Sequence, residues 1–86
     1  MEANSYLYLR QTRNGYVLDL VRAETLGFLA GRSGIWLFAS SKRPSEFAVL
    51  EIFKNYSTLQ EAYDAMVLVD PGIIKMHSDT DYAFLQ

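Results

Sequence analysis

His77 is the single histidine of the chain, so a nucleophilic triad, an imidazole metal site or a histidine acid–base relay would have to run through it. The string His77-Ser78-Asp79-Thr80-Asp81 sets two carboxylates close to that imidazole, a donor set suited to a hard cation or a hydrolytic water. A cation cage needs more oxygen ligands than this string supplies, and closely spaced aspartates are ordinary in turns, where they cap backbone N–H groups. The polar turn is the expected reading, with no catalytic residue, metal or cofactor assigned. Gly31-Arg32-Ser33-Gly34 superficially resembles a phosphate-cradling loop or a nucleophile elbow. It lacks both the Gly-Lys-Ser/Thr ending of the one and the Gly-x-Ser-x-Gly spacing of the other, and a glycine-bracketed turn accounts for it. The chain has no cysteine, which removes disulfides, thiolate metal sites and cysteine nucleophiles together.

What remains is contact chemistry. Six tyrosines and five phenylalanines in 86 residues are a heavy aromatic load. Tyr6, Tyr8 and Arg10 alternate along one segment, and Asp19 and Val21 along the next. Large amphipathic rings beside a cation and a carboxylate are typical of protein–protein interface cores. Lys42 and Arg43, with Arg32, form a candidate basic patch. Together with the tyrosines, that patch would suit stacking on single-stranded nucleic acid. The net charge of −2 opposes that second reading, because binding to phosphates needs an excess of base.

These residues need elements to hold them. Asn14-Gly15 lies between apolar alternations and predicts a two-residue type I′ hairpin turn. The register it implies pairs Arg10 with Asp19, Leu9 with Leu20 and Tyr8 with Val21. Leu7, Leu9, Leu18 and Leu20 then share one face, and Tyr6, Tyr8, Arg10, Val17, Asp19 and Val21 share the other. Residues 25–30 and 35–40 bracket the glycine turn and read as a second hairpin, pairing Phe28 with Leu37. The competing reading is a short helix over 23–30 stopped by Gly31. Residues 47–54 alternate and predict a strand. Ser57 reads as an N-cap with Gln60 at the capping-box position, opening a helix whose apolar stripe is Leu59, Ala62, Tyr63, Met66 and Val67. Asp70-Pro71-Gly72 ends it. Residues 73–77 read as a short strand, 78–81 as a turn, and 82–85 as a last apolar segment.

Strands first and one late helix predict a single α+β domain over residues 1–86, with an antiparallel sheet of about four to six strands and one helix on one face. The leucine face seats the helix, leaving the tyrosine face for a partner or for the tail at 82–85. Residues 1–5 show no basic leader, and the longest apolar runs, 35–39 and 65–69, are far below a membrane span. A soluble, cytoplasmic location is expected. In size, acidity and lack of catalytic groups the chain is similar to small phage-encoded inhibitors and other stoichiometric antagonists. That likeness implies a non-enzymatic protein-binding module. Its partner surface comprises Tyr6, Tyr8, Arg10, Asp19, Val21, Lys42 and Arg43, with homodimerisation as a further possibility for the same surface.

Overall fold

A computed structural model describes residues 3–51 and 54–77. The described chain is α+β: five antiparallel strands form one sheet in the order β4-β2-β1-β3-β5. The strands are β1 (Ser5–Thr12), β2 (Gly15–Val21), β3 (Ile35–Ser40), β4 (Asn55–Tyr56) and β5 (Ile74–His77), and the two α-helices are α1 (Leu26–Leu29) and α2 (Leu59–Val69).

The β1–β2 hairpin forms, but two residues away from the expected register. Thr12 pairs with Gly15, Arg10 with Val17, Tyr8 with Asp19 and Leu7 with Leu20. Arg13 and Asn14 are the loop residues and keep negative φ, so the turn is not type I′; the positive φ falls on Gly15, at 145°. Side chains fix the turn. Asn14 N–H donates to Thr12 Oγ1 at 3.2 Å, and Asn55 Nδ2 donates to the Asn14 carbonyl at 2.9 Å. A shift of two residues preserves which side chains share a face, because strand side chains alternate with period two. The leucine and tyrosine faces survive intact, whereas the expected Arg10–Asp19 pairing does not.

The leucine face carries the core. Leu7, Leu9, Leu18, Trp36 and Phe38 from the sheet pack with Phe47, Tyr56, Ala62 and Met66. Tyr16 meets Trp36 edge-on at 6.0 Å between centroids, and Phe38 lies 6.1 Å from Tyr63. Ala62 and Met66 are the buried side of α2, while Leu68 points outward at 85% exposure. The helix starts one residue later than expected. Thr58, not Ser57, is the N-cap, its Oγ1 accepting from Glu61 N–H at 3.1 Å.

Two segments expected as strands are helical. Residues 23–29 form a 3₁₀ turn (Ala23–Thr25) running into α1, which is the competing reading of the sequence and not the second hairpin. The topology explains the outcome. β3 has β1 on one side and β5 on the other, so no edge of it is left for a strand at 25–30, and the segment instead spans the crossover between the parallel strands β2 and β3. Leu26, Leu29 and Ala30, at helical spacing, are partly buried, and Phe28 between them is 70% exposed. Residues 44–50 form a 3₁₀ helix (Pro44–Leu50) where an alternating strand was expected. Pro44 suits the first helical position, and Arg43 N–H donates to Glu46 Oε2 at 2.9 Å in the first turn. Phe47 and Leu50 fall on one side of a three-residue turn, Phe47 fully buried and Leu50 packed against the core, with Val49 outside at 75% exposure.

Both crossovers, β2–α1–β3 and β4–α2–β5, travel across the sheet in the same direction, but their strands have opposite polarity. The right-handed rule for such connections therefore puts them on opposite faces. With α2 on the leucine face, α1 belongs to the tyrosine face, where it touches β3. A buried polar clamp ties the end of α2 to the sheet: Ser40 Oγ donates to Asp70 Oδ2 at 2.6 Å, and Gly72 N–H donates to Asp70 Oδ1 at 2.9 Å.

Candidate functional site

The tyrosine face of the three central strands is a grid fixed by the two registers. Its rows read Val21–Tyr6–Ala39, Asp19–Tyr8–Leu37 and Val17–Arg10–Ile35 across β2, β1 and β3. Burial drops once across it, between the β3 column and the other two. The β3 column is buried, with Leu37 at 1% exposure; Tyr6 and Tyr8 in the middle are partly buried; Arg10 is exposed. Val17, Asp19 and Val21 on β2 are partly buried. The cover over β3 includes α1, so the accessible half of the face lies over β1 and β2.

Tyr6, Tyr8, Arg10, Asp19 and Val21 are thus brought onto one face, as expected, and Val17 joins them. Asp19 sits directly across from Tyr8, and its Oδ1 accepts from the Leu20 N–H at 2.8 Å. Lys42 and Arg43 do not join the grid. They follow β3 at the Tyr6 end, where Ser5 Oγ donates to the Lys42 carbonyl at 2.6 Å and Lys42 N–H donates to Ser40 Oγ at 3.0 Å. Arg32 precedes β3 at the Arg10 end and donates from Nε to the Phe28 carbonyl. The whole of β3, about 20 Å at strand rise, separates Arg32 from Lys42 and Arg43, so the three do not form the single patch the sequence suggested.

Sequence reasoning misses one feature of this surface: with residues 26–29 helical and not extended, the spacing of Leu26, Leu29 and Ala30 leaves Phe28 outside. Among the described residues no three of His, Cys, Asp and Glu gather to hold a metal ion. Asp79 and Asp81 of the histidine string, and the apolar segment at 82–85, lie outside the described residues. No helix among the described residues is long and apolar enough to cross a membrane. No family model, curated protein or solved structure matches this chain.

Proposed function

We propose that this chain is a non-enzymatic protein-binding module that occupies a partner's surface through the β1–β2 half of its tyrosine face, in the manner of a stoichiometric antagonist. The observation that carries the reading is the incomplete burial of the β1 and β2 columns of this face. Two tyrosines, three aliphatic or acidic neighbours on β2 and an exposed arginine share a sheet face opposite the one that holds α2. Tyrosine gives large contact area with few rotatable bonds, and arginine adds directional hydrogen bonds, so both types concentrate binding energy. Single-stranded nucleic acid is the weaker second reading. The tyrosines could stack bases, but the cations that would follow a phosphate backbone stand at opposite ends of β3, and the net charge is −2.

Affinity capture from cell lysate, run with and without nuclease and with a folded Tyr8→Ala control, tests the reading. A protein retained by the native chain after nuclease treatment and lost with Tyr8→Ala supports it. Retention that vanishes with nuclease, or that ignores the substitution, refutes it.

A further inference from the structure

The chain has three asparagines, at 4, 14 and 55, and they stand in different surroundings. Asn4 Nδ2 donates to the Ser41 carbonyl at 2.8 Å. Asn55 Nδ2 donates to the Asn14 carbonyl at 2.9 Å, while its Oδ1 accepts from Thr12 Oγ1 at 3.3 Å. The Asn14 carboxamide has no hydrogen bond among the described residues, and the residue is exposed at the hairpin turn. The residues that follow differ as well. Asn4 precedes buried Ser5 and Asn55 precedes buried Tyr56. Asn14 precedes Gly15, which has no side chain to keep its backbone nitrogen away from the Asn14 carboxamide. In the closed hairpin that nitrogen is engaged. Gln11 N–H donates to Gly34 on the β3 side, so even-numbered β1 residues direct their backbone groups toward β2, and Thr12 and Gly15 form a hydrogen-bonded pair. Three side-chain bonds lock this end: Asn14 N–H to Thr12 Oγ1, Thr12 Oγ1 to Asn55, and Asn55 to the Asn14 carbonyl.

We propose that Asn14 is a site of self-modification by deamidation, gated by the Asn55 side chain that ties the turn to β4. The Gly15 backbone nitrogen gives up its proton and attacks Asn14 Cγ. The new C–N bond closes a succinimide as the Cγ–Nδ2 bond breaks, and the amide leaves with that proton as ammonia. Water, the co-reactant of the second step, then adds to one of the two imide carbonyls. Opening at Cγ leaves aspartate at position 14. Opening at the main-chain carbonyl leaves isoaspartate, whose backbone runs through the former side chain and is longer by a methylene. Either product carries a new carboxylate, which takes the net charge one unit below −2. In the isoaspartyl product the carbonyl that Asn55 holds leaves the main chain as a free carboxylate, and Gly15 no longer sits against the Tyr56 carbonyl. The turn end of β4 then loses its anchor. The attack requires Gly15 N–H to be released from Thr12, so its rate follows local opening of the turn, which the Asn55 bond opposes.

The test incubates the full chain and its Asn55→Ala variant in mildly alkaline buffer, each both folded and in denaturant. Peptide mapping by mass spectrometry, with detection of isoaspartate, follows every asparagine. Conversion should concentrate at Asn14 in all samples and yield both aspartate and isoaspartate, while Asn4, and Asn55 where present, lag behind. Folded Asn55→Ala should convert at Asn14 roughly two- to tenfold faster than the folded native chain, the effect of losing the bond to the Asn14 carbonyl on the opening equilibrium. In denaturant the two should convert at the same rate. Circular dichroism establishes that the variant is folded; if it is not, Thr12→Val, which removes the other end of the clamp, takes its place with the same expected acceleration. Asn14 left unchanged in the denatured chain, or Asn4 keeping pace with it, would overturn the site. Equal rates at Asn14 in the folded native and folded variant chains would overturn the gate.

Discussion

Replacing Gly15 with alanine should be the most damaging single-methyl change in the hairpin. Gly15 has φ +145°, and a Cβ built there would lie 2.1 Å from the Tyr56 carbonyl oxygen and 2.9 Å from Asn55 Nδ2. Two costs combine. An L-residue held at that φ loses about 1–2 kcal/mol. The clash is with backbone, so β4 must retreat by roughly 1 Å, loosening its pairing to Tyr16 at about 0.5–1.5 kcal/mol per hydrogen bond. With both bonds of the Tyr16–Tyr56 pair loosened, the total is roughly 2–5 kcal/mol, against a stability of about 4–13 kcal/mol for a chain of this length. The melting temperature should fall by about 8–40 °C. Two controls separate the causes. Gly31 has φ +77° but nothing within 4 Å, so Gly31→Ala should lose only about 1 kcal/mol. Gly27 lies in α1 with open space around it, so Gly27→Ala should gain roughly 0.5–1 kcal/mol. Thermal unfolding of the three variants by circular dichroism checks the series. If Gly15→Ala melts no lower than Gly31→Ala, β4 does not hold the position assigned to it.

Further outcomes follow from the cap and from the buried phenol. Thr58→Ala should lose about 1 kcal/mol by chemical denaturation, while Ser57→Ala should be close to neutral, because the capping oxygen belongs to Thr58. Burial, then Glu51, then Glu61 raise the Tyr56 phenol above its ordinary pKa of 10.0. Its protonated form is thus favoured by folding: the stabilisation is complete below pH 10 and is lost as pH rises from there through the folded-state pKa. Melting temperature measured from pH 8.5 to about 11.5 should fall more steeply for the native chain than for Tyr56→Phe. At neutral pH that variant should be weaker by about 1 kcal/mol for the lost hydrogen bond to the Leu50 carbonyl.

The parts of the fold legible in the sequence are those with a period of their own. Alternation over residues 6–21 defined the two faces, and those faces survived a register error of two because the period is two. The register itself was misread because Asn-Gly was given to the turn centre, when Gly15 is glycine for the approach of the Tyr56 carbonyl, a contact 41 residues away. Residues 47–50 are 3₁₀ and not strand because a short apolar run fits a period of two or three equally well; Pro44 and Glu46 at a helix start were the local clues, and residues 52–53 of the expected strand lie outside the described residues. Residues 25–30 needed the topology, since it is the pairing of β3 with β1 on one side and β5 on the other that leaves no place for the second hairpin. The shared face was therefore readable from the alternation, while the helical state of residues 26–29 beside it was not.

The central claim is that Tyr8 belongs to a binding surface and not to the core. It is tested most directly by measuring melting temperature and partner affinity on one preparation of Tyr8→Ala. Tyr8 is partly buried between Asp19 and Leu37. Truncation should weaken binding to the captured protein by roughly 1–3 kcal/mol, about five- to 150-fold in Kd, while stability falls by less than that. A large fall in melting temperature with affinity per folded molecule unchanged would make Tyr8 a core residue and contradict the account.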